Sequence, residues 1–291
     1  MNLNGRRSSN NVDDRRGSGG SRFGGKIAGG GIVGLIIAAV IAWISGGDPL
    51  SVVGGALSSD QFGQPTESAY QPSVEDEQLE LFSRQILAGT EDVWTKLFRE
   101  QGLTYEAPTL VLYDGTTTSA CGGADASVGP FYCSADRSLY IDLSFFRNMR
   151  QTLGADGDFA YAYVIAHEVG HHVQNLLGTL QQAHSAMNRT DETHANQISV
   201  RLELQADFLA GVWAHHDNEM FSSIEPGDID EALDAAQKIG DDYLQKRARG
   251  YVVPESFSHG TSEQRHRWLN RGLQSGDLSL GDTFSPDYRS L

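Results

Sequence analysis

Residues 159–177 read FAYAYVIAHEVGHHVQNLL, and the rest of the chain is best read outward from this stretch. It is largely apolar, free of proline, preceded by capping residues between Gly154 and Asp158, and closed by Gly178, which together specify a helix. Residues four apart on a helix project to the same side, so His167 and His171 can present two neutral imidazoles to one metal ion. Glu168 lies one step round, where a carboxylate can take a proton from a water whose pKa a bound zinc has lowered. Ala166 and Gly170 are small and leave room beside the ion.

A catalytic zinc needs a third protein ligand. The metzincin pattern would place Gly at 174 and His at 177, but Gln174 and Leu177 stand there. A second helical run, residues 198–216 (ISVRLELQADFLAGVWAHH), carries Glu203 and, one turn on, Asp207. Glu203 is taken as the third ligand, against the plainer reading of a salt bridge with Arg201 or a solvated face. Asp207 is taken as the acceptor that orients a zinc-bound imidazole, most simply His167.

Around this pair of helices the pattern is α+β. Residues 75–102 place Leu79, Phe82, Ile86, Val93 and Leu97 at helical spacings, broken around Gly89, which predicts one or two amphipathic helices. Residues 109–113 (TLVLY) and 138–143 (SLYIDL) are short β-type runs and predict a small sheet. They flank the loop CGGADASVGPFYC, whose Cys121 and Cys133 are the whole cysteine supply; in an exported domain such a pair reads as a disulfide rather than a metal site. A third helix is expected over 229–248 and a short last one over 265–273.

The net charge is −16, but residues 1–26 hold six Arg or Lys against Asp13 and Asp14, so the remainder carries −20. A body this acidic repels nucleic acid. Residues 27–47 are uncharged, with the apolar core IVGLIIAAVIAWI, long enough to cross a bilayer once. They read as a transmembrane helix; a cleaved signal peptide ending near Gly46-Gly47 is the rival, and a buried helix of the domain the lesser one. With Arg6, Arg7, Arg15, Arg16, Arg22 and Lys26 ahead of the span, residues 1–26 read as a cytoplasmic tail that cannot fold with the domain. The body is then expected outside the bacterial cytoplasmic membrane. Residues 48–73 read as a linker and 74–291 as the folded domain.

Four segments together carry a resemblance: HEVGHHVQ, the ELQAD helix, GPFYC followed by a Tyr-Ile-Asp strand, and FSHGTSEQRHRW at 257–268. They resemble the bacterial putative neutral zinc metallopeptidase family, over nearly the whole chain from the leader NNVDDRRG to Trp268. The chain is also similar to the wider gluzincins, in which HExxH is joined by a Glu with an Asp four residues later. The resemblance implies a zincin-like domain, mainly helical with a small sheet, one N-terminal span, zinc as cofactor and a peptide or protein as substrate. The SHGTSEQR segment resembles the His-then-Arg motif of gluzincins related to the CaaX prenyl protease family. Carried over, His259 would donate to the oxyanion and Arg265 would brace the site, although Gly260 stands where those relatives usually have Pro; a loop histidine bonded to backbone is the alternative for His259. Residues 139–143 would be the edge strand that pairs with an extended substrate. The other histidines, His172, His184, His194, His215, His216 and His266, read as structural or surface residues. The reaction implied is peptide hydrolysis by metal-activated water. A non-catalytic zinc-containing envelope scaffold, or a zinc amidase acting on a cell-wall amide, stands beside it.

Overall fold

A computed structural model describes residues 1–17, 71–125 and 128–291. The first long helix, α1 (Val74–Glu100), starts where Ser73 accepts from the Asp76 N–H at 3.1 Å and the Asp76 carboxylate accepts from the Ser73 N–H at 3.0 Å. This reciprocal cap satisfies two helix-end donors, and the acidic first turn opposes the positive end of the helix dipole. α1 runs through Gly89 without the expected break. A Cβ there would stand 2.8 Å from both Arg6 Nη2 and Asp217 Oδ1, so the glycine makes room for an ion pair instead of ending the helix.

The sheet holds β1 (Val12–Asp14), β2 (Thr109–Tyr113), β6 (Ser138–Asp142) and β5 (Phe131–Cys133) in that order; β1, β2 and β6 are parallel and β5 is antiparallel to β6. A separate hairpin pairs β3 (Thr116–Ser119) with β4 (Gly122–Asp125). Side chains alternate across a strand, and both faces of the sheet are covered. Leu110, Leu112, Leu139 and Ile141 enter the main core under the helices, while Val111, Tyr113, Phe131, Tyr140 and Cys133 form a smaller cluster on the other face. Cys121 and Cys133 are joined in a disulfide that ties β5 to the hairpin side of that cluster. The expectation that residues 139–143 form an edge is corrected here. β6 is hydrogen-bonded on both sides, and the edges are β1 and β5.

After β6 come a short helix, α2 (Ser144–Asn148), then α3 (Asp158–Leu176), α4 (Thr179–Met187), α5 (Glu192–Phe221), α6 (Asp228–Lys238), α7 (Asp241–Arg249) and α8 (Ser262–Ser275). The fold is therefore α+β, mostly helical with small sheets, and α3, α5, α6 and α8 pack on one another around the main core. The single helix expected over 229–248 is two. Gly240 separates α6 from α7 because Ser262 lies against it, only 2.4 Å from where a Cβ would be. The last residues belong to the body as well: Leu291 is buried, and Thr283 Oγ1 donates to the Arg201 carbonyl at 2.7 Å.

Residues 1–17 are not a separate tail. The Met1 ammonium lies 2.6 Å from Asp158 and 3.2 Å from Asp228, at the first turns of α3 and α6. Arg6 forks onto the buried Asp217 at 2.7 and 3.2 Å and stacks over Phe221 at 3.6 Å. Ser9 and Asn11 donate to Glu91 at 2.5 and 2.8 Å, and residues 12–14 add β1 to the sheet. The segment has too little apolar content to fold alone, but its cations meet carboxylates of a strongly acidic body, so it folds by docking. The 27–47 stretch and residues 48–70 lie outside the described residues. No helix among those described is long and apolar enough to cross a membrane.

Docking of the leader gives a direct prediction. Arg6→Ala should cost about 3 kcal/mol in urea unfolding, because it leaves the buried Asp217 carboxylate without this counter-charge, and Arg6→Ala/Asp217→Asn should recover part of the loss. An unchanged midpoint for Arg6→Ala would mean that the leader is not docked.

Candidate metal centre

α3 and α5 cross at Gly170 and Ala206, where a Cβ on Gly170 would lie 2.9 Å from the Ala206 carbonyl oxygen. That close approach brings one turn of each helix together. His167 Nε2 stands 3.1 Å from Glu203 Oε2, His171 Nε2 stands 3.5 Å from Glu203 Oε1, and the two imidazole rings meet edge to face with centroids 4.8 Å apart. One ligand atom from each of these three residues lies within 4.8 Å of the other two, a group able to hold a metal ion. Arg201, the alternative partner for Glu203, turns away and donates to the Phe284 and Pro286 carbonyls at 3.2 and 2.9 Å.

Asp207 sits one turn after Glu203 and is fully buried. Its Oδ1 lies 2.8 Å from His167 Nδ1 and accepts from Tyr163 Oη at 2.6 Å, while the Arg265 guanidinium forks across both oxygens at 2.9 Å each. Burial alone would push the Asp207 carboxyl up, but Arg265 and His167 hold it below the usual carboxylate range, so it is an ionised acceptor. His167 therefore donates from Nδ1, and its Nε2 lone pair faces the Glu203 carboxylate.

Two electron-rich atoms 3.1 Å apart need a cation or a proton between them. Burial opposes the imidazolium, yet Asp207 and then Glu203 raise the His167 pKa to about 10. Burial likewise opposes the Glu203 carboxylate, but His171 and His167 hold it well below its ordinary range. A divalent metal would satisfy the same convergence with a set of two imidazoles and one carboxylate, the donor set of several catalytic zinc sites. The residues present thus fit a metal.

Glu168 is buried beside this group without being one of its ligands, and burial raises its carboxyl above the usual range, with His167 and His171 opposing. His259 is also buried. Asp241 Oδ2 accepts from the Ser258, His259 and Gly260 N–H groups at 2.7, 2.7 and 3.2 Å, and Asp241 Oδ1 stands 3.2 Å from His259 Nδ1. Burial opposes a charged His259, but Asp241 and the more distant Glu203 outweigh it, which places the ring in the field of the metal group. Gly260 has φ +93°, a conformation closed to proline, so the glycine here goes with a different turn after the histidine.

The structure gathers His167, Glu168, His171, Glu203, Asp207 and Arg265 at one place, with His259 in electrostatic reach. Three residues missed by sequence reasoning join them: Tyr163, Asp241 and Gln174, whose Oε1 lies 2.9 Å from His171 Nδ1. Tyr163 was findable as a polar group four residues before His167 on an apolar helix. Asp241 had no local signal, since its partner is in a loop beyond α7. Of the remaining histidines none joins the metal group. His172 bonds Tyr132 Oη at 2.9 Å and the Glu106 carbonyl at 2.6 Å, and burial takes its pKa down to about 4.

Comparison with known proteins agrees with the geometry. The family described as "Putative neutral zinc metallopeptidase" matches residues 1–284. The uncharacterized protein YpfJ of Escherichia coli (strain K12) is 47% identical over 290 residues, 98% of this chain and 99% of the relative. The uncharacterized protein Mb2605 of Mycobacterium bovis is 41% identical over 191 residues, 62% of this chain and 64% of the relative. No solved structure matches the chain.

With zinc as the probe ion, chelator competition should show one tight site per chain, and Asp207→Asn should weaken it about 10- to 100-fold by loosening His167. Equal affinity in wild type and Asp207→Asn would remove Asp207 from the site.

Proposed function

The chain belongs to the putative neutral zinc metallopeptidase family, and from that premise we propose that it is a zinc-dependent metallopeptidase that hydrolyses peptide bonds in peptide or protein substrates. One observation carries the reading: two imidazole Nε2 atoms and the Glu203 carboxylate converge, with the buried carboxylate of Glu168 beside them and outside the ligand set. A site that only braces a fold has no use for that extra acid, which favours an enzyme over a scaffold.

Zinc bound by His167, His171 and Glu203 would supply Lewis acidity, lowering the pKa of a water and polarising a carbonyl. The remaining work falls to the chain. Glu168 takes the proton of the attacking water and passes it to the leaving amine, and burial favours its protonated form, as that return step requires. His259, held by Asp241, donates to the oxyanion as the scissile carbonyl becomes tetrahedral. Tyr163 and Arg265 keep Asp207 fixed, and Asp207 keeps His167 aimed.

The chain's net charge of −16 supports peptides rather than nucleic acid as partners. The Cys121–Cys133 disulfide supports an oxidising, extracytoplasmic place of work, with residues 1–17 on the same side as the body they bind. Within this reading the domain is zincin-like.

The test is a peptide-library digest comparing the full chain with Glu168→Gln. The variant should lose about 10²- to 10⁴-fold in rate while binding zinc as wild type does. Turnover that survives the substitution would refute the assignment of Glu168 as base.

A further inference from the structure

His171 and Gln174 lie three residues apart on α3, on one face of the helix. Gln174 is completely buried, and both ends of its side-chain amide have partners. Nε2 lies 2.8 Å from the Leu202 carbonyl oxygen and 3.1 Å from Gln205 Oε1, and Oε1 lies 2.9 Å from His171 Nδ1. The orientation of such an amide follows from its partners. A main-chain carbonyl only accepts, so the end of Gln174 facing Leu202 is the NH₂ and the end facing His171 is the oxygen. Gln205 obeys the same logic independently. Its own Nε2 donates to the Gly281 carbonyl at 3.0 Å, which turns its oxygen toward Gln174. Two main-chain carbonyls thus fix two amides in one consistent direction.

An acceptor facing Nδ1 requires a proton on Nδ1, and a neutral imidazole with that proton keeps its lone pair on Nε2, the atom that faces Glu203. Leu202, which anchors Gln174, is the residue next to Glu203, so the same amide also holds the turn of α5 that carries the third ligand.

We propose that Gln174, backed by Gln205, is a positioning residue of the metal centre: an amide relay anchored on the Leu202 and Gly281 carbonyls fixes His171 as its Nδ1–H tautomer and aims Nε2 at the ion. The proposal rests on the metallopeptidase reading only as far as the metal ligands. The two imidazoles are held by different chemistry, His167 by a carboxylate with its own arginine and His171 by a neutral amide, so the support of His171 adds no further buried negative charge to the centre.

The test compares zinc affinity of the full chain by chelator competition in wild type, Gln174→Met and Gln174→Glu. The Met variant keeps the volume and loses the acceptor; the Glu variant keeps an acceptor for His171 and loses both donors. Gln174→Met should bind zinc about 10- to 100-fold more weakly, and Gln174→Glu, which keeps the acceptor but not the anchor, should fall between Gln174→Met and wild type. If Gln174 merely ties α3 to α5, the Glu variant will be at least as impaired as the Met variant, and the proposal falls. A measurement on wild type needs no variant to fold: two-bond ¹H–¹⁵N correlations of the zinc-loaded chain should show His171 protonated at Nδ1, and a proton on Nε2 overturns the proposal. The two readings fail separately. Tight zinc binding that depends on Gln174 without any peptide hydrolysis sinks the peptidase and spares the relay; hydrolysis with zinc affinity indifferent to Gln174 does the reverse.

Discussion

Asp207 has no exposed surface, and its two carboxylate oxygens engage four groups: the imidazole of His167, the hydroxyl of Tyr163 and both arms of the Arg265 guanidinium. A buried carboxylate is tolerable only when its charge is matched and its lone pairs are filled. Here the requirement joins three helices, because Tyr163 and His167 come from α3, Asp207 from α5 and Arg265 from α8. Much of the site's geometry follows from it. His167 can point Nε2 at Glu203 because its other nitrogen is committed to Asp207, and Arg265 can be buried because it has a full negative charge to fork across. The arginine that braces the site is thus also the residue that makes the helix packing electrostatically possible.

The same balance of buried charge explains the leader. The body carries far more acid than base, and some of those acids, Asp217 and Glu91 among them, lie where solvent cannot stabilise them well. Residues 1–17 bring the cations and donors that pair with them, and β1 then extends the sheet. The family match begins at residue 1, which fits a leader that is structurally part of the domain.

Local periodicity made the metal ligands legible in the sequence, since His167 and His171, and Glu203 and Asp207, are each spaced by one helical turn. What the helices do to one another was beyond its reach. That Glu203 faces His167 depends on the close crossing at Gly170, and that Asp241 holds His259 depends on a turn placed by helix packing. The docking of residues 1–17 was not legible, because the composition of the leader speaks only of its own core, whereas its buried partners, Asp217 and Glu91 among them, lie far along the chain. The strand over 138–142 was legible as a strand but not in its position, because a fully buried strand and an edge strand of five residues look alike without their neighbours. His259 and Arg265 were reached through resemblance rather than through spacing, and the structure gives both a definite partner.

Everything above turns on one ion being held by His167, His171 and Glu203. An anomalous-difference map from a zinc-soaked crystal of the full chain tests it most directly. A single strong peak is expected about 2.0–2.2 Å from both Nε2 atoms and from the Glu203 carboxylate. A site free of density there, or a peak confined to the other acidic group at Asp158, Asp228 and Glu231, would contradict it.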